Sequence, residues 1–300
     1  MQFMIYGASG YTGKLIAEEA AALGFKPILA GRNEAKIKPL ADHLGFDFKI
    51  FDLEDEKTLD AALSDITVIL HCAGPFKFTA RPMMQACLRT QTHYLDITGE
   101  IEIFEYAHHL DAAAKKAGIM LMPGVGFDVV PTDCLGQYLK KQLPDATSLE
   151  LGFAGIGKAG WSKGTASTAV VNLGKGSAER RNGKIEIVPL GHKTLWKSFR
   201  GKKMFFMSIP WGDVSTAFHS TGIPDIVTYS GINPNQYKWI RLQKYFNWLL
   251  GMPLVKKMAL SRLQKGPAGP TTEERSSSET FVWGAAKNER GDIKRARLIT

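Results

Sequence analysis

Short apolar runs and amphipathic stretches alternate through the first 125 residues, and this alternation constrains the fold more than any other feature. FMIYGA reads as a strand, and TGKLIAEEAAALG as a helix closed by Gly24. KPILAG is a second strand, after which Asn33 can cap the helix EAKIKPLADHLG. DFKIFDL, TVILHCAG, THYLDITG and IMLMPGVG supply four further strands. The helices between them are EKTLDAALSD, ARPMMQACLRT with Pro82 in its first turn, and a long EIFEYAHHLDAAAKKAG stopped by Gly118. Strands separated by helices of this length pair in parallel, with helices on both faces. The expected fold is α/β: a doubly wound parallel sheet of the Rossmann type over residues 1–130, then a second mixed α/β domain over 131–300 for substrate binding or dimerisation.

After Asp128 the rhythm changes. VVPTDCLGQYLKKQL reads as a helix leaving the first domain, and TSLELGFAG, GKIEIVPLG, KKMFFMSIP and DIVTYSG read as strands of an antiparallel or mixed sheet. A helix is expected near 165–173, a loop over GPAGPTTEERSSS, and a strand in KRARLIT at the chain end. Charge divides with the domains. Residues 1–150 carry 14 Lys and Arg against 20 Asp and Glu, whereas residues 151–300 carry 24 against 9. A half this basic suits an anionic partner such as a phosphorylated cofactor, an acyl carrier or a lipid surface, or else a solvated face. No nucleic-acid reader motif accompanies the charge.

The first strand-to-helix turn is GASGYTG. Gly7, Gly10 and Gly13, with Ser9, Tyr11 and Thr12 between them, form a GxxGxxG turn at a helix N-terminus. There, backbone N–H groups and the helix dipole favour a pyrophosphate. The first glycine allows the tight turn, the second the approach of the phosphates, and the third close helix–strand packing. It is not a P-loop, because Gly13-Lys14 is followed by Leu15. At the tip of the second strand an NAD site usually has an acid for the ribose hydroxyls. Here Arg32 stands in that place, so a 2′-phosphate and hence NADP is favoured over NAD. Asp52 and Leu53 border the adenine side; Cys72, Ala73, Gly74 and Pro75 form the small-residue turn expected against the nicotinamide ribose.

These residues resemble the saccharopine dehydrogenase-like NADP-binding proteins, a family that includes trans-acting enoyl reductases. The resemblance is carried by GASGYTG, AGRN, Gly74-Pro75-Phe76, HYLDITGE (93–100) and GVGFDVVPTD (124–133). WSKGTASTA (161–169), IPWGDVSTAFHSTGIPD (209–225) and GPAGPTTEER (266–275) extend it along most of the chain. It implies an NADP-binding Rossmann domain joined to a mixed α/β domain, and family members that continue beyond the position of Thr300.

The acid/base pair Tyr-x-x-x-Lys of short-chain reductases is absent. Strand ends near the expected nicotinamide leave Tyr94 and Asp128 as the catalytic candidates, with Asp96 and Glu100 beside them. Helix capping competes for Asp128 and Asp133, and for Ser162, Thr165 and Ser167 in the second domain. No histidine or cysteine spacing suggests a metal. Three scattered cysteines, no apolar run near 18 residues and no visible leader fit a cytoplasmic protein. The expected activity is an NADP-dependent hydride transfer to or from an imine, carbonyl or activated alkene, with a small-molecule or acyl substrate. The rival is a non-catalytic NADP-binding redox sensor or membrane-associated scaffold. Residues 236–263, where Trp239, Tyr245, Phe246 and Trp248 interleave with Lys238, Arg241, Lys244, Lys256 and Lys257, are expected to pack on the second sheet, with peripheral membrane contact as the alternative. A second copy of the chain is a further candidate partner, as a homodimer.

Overall fold

The computed structural model describes residues 2–157, 160, 162–243 and 245–300; Trp161 and Lys244, both named above, lie outside the described residues. The chain divides into two compact units, Met1–Gly126 and Phe127–Thr300.

The first unit runs β1 (Phe3–Tyr6), α1 (Tyr11–Ala22), β2 (Ile28–Gly31), α2 (Glu34–Leu44), β3 (Phe48–Ile50) and α3 (Glu56–Leu63). It continues through β4 (Val68–His71), α4 (Phe76–Thr90), β5 (His93–Asp96), α5 (Ile101–His109), α6 (Asp111–Ala117) and β6 (Leu121–Met122). The strands form one parallel sheet in the order β3-β2-β1-β4-β5-β6. Both faces are covered, which is why β1 is apolar throughout rather than alternating. Met4 and Tyr6 join a core with Ile69, Met83, Met84 and Tyr94, while Ile5 joins Ala17, Leu29, Ile37 and Ala41. After β3 the chain crosses to the other side of β1, so β1 and β4 flank the switch point where such sheets bind ligands.

Three local expectations need correction. Helix α4 begins at Phe76, so Pro82 lies inside it rather than in its first turn. The reason is a distant cap: the Glu100 carboxylate accepts the N–H groups of Phe76 and Lys77, at 2.9 Å each, and satisfies the helix start there. The single long helix is two, α5 and α6, divided at Leu110. Asn33 occupies the N-cap of α2, but its side chain makes no capping bond.

The second unit starts with α7 (Val130–Gln142), β7 (Ser148–Ile156), α8 (Lys163–Val171), β8 (Ser177–Arg181), β9 (Lys184–Val188), β10 (Thr194–Phe199) and β11 (Lys202–Ser208). Then come α9 (Asp213–Thr221), β12 (Asp225–Gly231), α10 (Pro234–Gln243), α11 (Asn247–Leu250), α12 (Pro253–Gln264), α13 (Thr272–Ser276), β13 (Glu279–Lys287) and β14 (Ile293–Ile299). The sheet is mixed, in the order β10-β11-β12-β7-β13-β14, with β8 and β9 attached through β12. Its central pair, β7 and β12, is parallel, whereas β7 and β13 are antiparallel. Leu139 of α7 and Ala217 of α9 pack with Leu149, Leu151 and Ile226. Another cluster gathers Phe206, Tyr229, Phe281 and Trp283, and Gly152 is required beneath it because a Cβ there would lie 2.7 Å from the Trp283 indole. The GPAGPTTEERSSS segment is not all loop: Thr271 and Glu274 form a capping box that starts α13.

Candidate cofactor site

The glycine turn leaves β1 with Gly7 at φ +83°, a conformation that L side chains rarely adopt. A Cβ on Gly7 would also sit 2.8 Å from the backbone nitrogen of Ala73, so this glycine lets the β1 and β4 turns touch. A Cβ on Gly13 would run into the Gly7 carbonyl oxygen and lie 2.9 Å from Ala8 Cα, so Gly13 sets the distance between α1 and the turn. Gly10 differs from both. It is exposed, extended at φ −72° and ψ 165°, and an added Cβ would meet only the Gly7 carbonyl oxygen, at 3.1 Å. Its lack of a side chain therefore leaves the open side of the turn free of atoms, with room for a ligand.

Electrostatics mark the same place. Among the described residues no side chain caps α1, and no acidic residue lies in its first turn. The start of α4 is the opposite case, since the buried Glu100 already occupies its amides. Of these two helix starts at the switch point, α1 is the one left for an outside anion. Ser9 is exposed beside it, and Tyr11 and Thr12 are half-buried. A turn drawn tight by Gly7 and Gly13 and left open at Gly10, at a helix start with no side-chain cap, fits a dinucleotide pyrophosphate.

Arg32 is exposed immediately after β2, and Asp52 is exposed after β3, its Oδ1 accepting the Glu54 N–H at 2.9 Å. Both act on the Tyr6 hydroxyl: burial pushes its pKa up to about 12, Arg32 opposes the rise and Asp52 adds to it. The guanidinium and this carboxylate thus lie at the same end of β1–β3, with half-buried Leu53 following. On the β4 side, Cys72, Ala73 and Pro75 are half-buried and Gly74 is exposed. Burial, and then the Asp96 charge, push the Cys72 thiol up to about 12, so it stays protonated and is no nucleophile. His71, just before it, is wholly buried among Tyr6 and Phe76; burial pushes it down to about 3, leaving a neutral ring that packs as an aromatic.

HYLDITGE is a brace. Tyr94 is fully buried and donates its hydroxyl to Asp96 Oδ2 at 2.6 Å. Asp96 Oδ1 accepts the N–H groups of Thr98 at 2.9 Å and Gly124 at 2.7 Å, while its carbonyl accepts that of Val125. Burial raises the Asp96 pKa to about 6 against the pull of those bonds. The bonds also explain why β6 is only two residues long: beyond Pro123 the chain bonds to one side chain and one carbonyl of β5 instead of continuing the ladder. Tyr94 is thereby committed to holding Asp96.

In the second unit, Asp128 precedes α7, and the Trp211 indole N–H donates to its backbone carbonyl. Its carboxyl does not cap α7, whose N-cap is Val129. Burial alone pushes that carboxyl up to about 6. Asp133 accepts the Ser220 hydroxyl at 2.6 Å, tying α7 to α9. Asp213 was not singled out in the sequence, yet it is wholly buried. Burial drives its pKa well above the ordinary carboxylate value, opposed by the Thr132 hydroxyl and assisted by Asp133 and Asp128. A charged residue inside the apolar stretch WGDVSTAF was the available signal. Ser162 is a cap, accepting the Thr165 N–H at the start of α8.

Comparison with known proteins agrees with this geometry. Residues 3–122 match the family model of the saccharopine dehydrogenase NADP binding domain. The saccharopine dehydrogenase-like oxidoreductase of Rattus norvegicus is 29% identical over 163 residues, covering 47% of this chain and 38% of the relative. The trans-acting enoyl reductase of Mycobacterium leprae is 34% identical over 155 residues, covering 48% of this chain and 37% of the relative. The matched stretch is thus well under half of either relative. The apo saccharopine dehydrogenase (L-Glu forming) of Saccharomyces cerevisiae shares the fold, with a TM-score of 0.65 at 14% identity, covering 100% of this chain and 85% of that one. The first unit of the chain is thus similar, over residues 3–122, to the saccharopine dehydrogenase NADP binding domain.

Proposed function

We propose that the protein is an NADP-dependent oxidoreductase that transfers hydride to or from an imine, carbonyl or activated alkene, with an enoyl or other acyl compound as the preferred substrate class. The observation that carries this reading is the uncapped start of α1 behind Gly7, Gly10 and Gly13, in a unit that matches an NADP-binding family. Bound NADPH would supply the hydride from its nicotinamide C4. Ser9, Tyr11 and Thr12 hold the pyrophosphate at the α1 amides, Arg32 takes the 2′-phosphate, Asp52 and Leu53 border the adenine, and the turn from Cys72 to Pro75 lines the ribose. Purified protein with NADPH and a panel of enoyl-thioesters, imines and ketones tests the reaction. Oxidation of NADPH by one class supports it; tight NADPH binding with no turnover of any class overturns it in favour of a sensor.

Arg32→Ala is expected to weaken NADPH binding by about tenfold or more while leaving NADH nearly unchanged, because one charge-assisted phosphate contact is lost. Parallel fluorescence titrations with both cofactors read the difference; equal losses for both would remove Arg32 from the 2′-phosphate.

Asp128 is the better proton donor of the two catalytic candidates. Its carboxyl is poised near 6, whereas Tyr94 spends its hydroxyl on Asp96. Asp128→Asn is expected to abolish turnover with NADPH affinity retained. The same variant has a stability signature. The folded pKa of about 6 lies above the ordinary 3.8, so the folded protein binds this proton more tightly than the unfolded chain. Stability from this group is therefore lost as pH rises from 3.8 through about 6, and the loss persists above it. Asp128→Asn should be more stable than wild type at neutral pH, with the difference vanishing in acid. Denaturation across that range would show a constant difference if Asp128 were an ordinary exposed acid.

A further inference from the structure

Helices α10, α11 and α12 contain no fully buried described side chain, although they are rich in large apolar residues. Trp239 is 76% exposed, Trp248 73%, Leu254 65% and Met258 60%, with Leu242, Phe246 and Met252 also exposed. The segment is nevertheless anchored to its own unit. The Tyr237 hydroxyl donates to the Gly191 carbonyl at 2.9 Å, and Lys256 Nζ donates to the Val171 carbonyl at 2.8 Å. Close approach of Asn247 and Gly251 to Gly174, where a Cβ would lie 2.8 Å from the Asn247 carbonyl, fixes the middle. The apolar side chains that point away are held out on an ordered support. None of these helices is long and apolar enough to cross a membrane.

Charge selects the occupant. From 226 to 272 the chain has no Asp or Glu, while Lys238, Arg241, Lys244, Lys256, Lys257, Arg262 and Lys265 fall among the aromatics. Tryptophans, a phenylalanine and a tyrosine interleaved with basic residues match the headgroup boundary of a bilayer, where indole rings find both an apolar and a wet side. Lysine and arginine there are drawn to anionic headgroups. A second copy of the same face would set positive charge against positive charge. We propose that α10–α12 form a docking surface for anionic membrane, with Trp239 and Trp248 entering the interface and the exposed Lys238, Arg241, Lys257 and Arg262 engaging lipid phosphates. This goes beyond the cofactor chemistry and does not depend on it.

Flotation of the purified protein with phosphatidylcholine vesicles, with and without phosphatidylglycerol, tests the proposal. The protein is expected to float with the anionic vesicles and to be released as salt rises. Its tryptophan emission should shift to the blue on binding. Trp239→Ser with Trp248→Ser should weaken association by at least about tenfold. Lys238→Glu with Arg241→Glu should weaken it about fivefold or more for each reversal. Both double variants should bind NADPH as wild type does, which separates loss of docking from loss of fold. Three results would each overturn the proposal: no association with either vesicle, undiminished association of the tryptophan variant, or self-association of the protein through these residues without flotation.

Discussion

Gly10→Val is expected to abolish NADPH binding while leaving the first unit folded. Gly10 already has a backbone conformation open to any residue, and its only near neighbour would be the Gly7 carbonyl oxygen at 3.1 Å. The added side chain points into the open side of the turn, where bound phosphates would come closest to the backbone. Affinity should fall by at least about a hundredfold, roughly 2.8 kcal/mol. Unfolding free energy should fall by about 1 kcal/mol or less, the scale of a changed N-cap. Gly13→Ala is the internal contrast. Its methyl group collides with the Gly7 carbonyl and Ala8, so the fold itself should lose about 1–3 kcal/mol through overpacking. NADPH fluorescence titration and urea denaturation of the two variants separate a ligand-facing glycine from a packing glycine. Wild-type affinity in Gly10→Val would move the pyrophosphate elsewhere.

The largest expected loss of stability belongs to Asp96. Asp96→Ala strands the buried Tyr94 hydroxyl and the N–H groups of Thr98 and Gly124, which now converge on one carboxylate. Each unsatisfied buried group costs about 1–3 kcal/mol, so a loss of about 3–5 kcal/mol is expected after partial relaxation. That is a large share of the roughly 5–15 kcal/mol stabilising an ordinary domain. Tyr94→Phe removes one bond only and should cost about 1–2 kcal/mol, with NADPH affinity retained. Hydrogen exchange should report faster opening around β5 and the 123–126 turn in Asp96→Ala, and little change there in Tyr94→Phe. A Tyr94→Phe protein that is stable and yet wholly inactive in hydride transfer would return Tyr94 to the chemistry.

The parallel sheet was legible because its signals are local: an apolar strand, a glycine or capping residue, an amphipathic helix. The glycine turn was legible for the same reason, since all three glycines act within seven residues of chain. What escaped depends on residues far apart. Glu100 starts α4 from 24 positions downstream, so Pro82 was misplaced. Tyr94 lies on the inward row of the sheet with Tyr6 and His71, and strand periodicity alone does not say which row meets a helix. β8 was missed because SAERR has no apolar alternation, although Glu179 and Arg180 are both buried. Glu179 forms ion pairs there with Arg181, His192 at 2.8 Å and Lys193 at 2.9 Å, a cluster no sequence spacing announces. Residues 236–263 are held on the second unit by Tyr237 and Lys256, as packing requires, yet keep most of their large apolar side chains in the open.

A crystal structure of the protein with NADPH tests the central claim most directly. The expected result is a pyrophosphate on the backbone amides at the start of α1, passing over Gly10, with the 2′-phosphate on Arg32. A pyrophosphate bound at any other helix start, or a 2′-phosphate with no contact to Arg32, would contradict it.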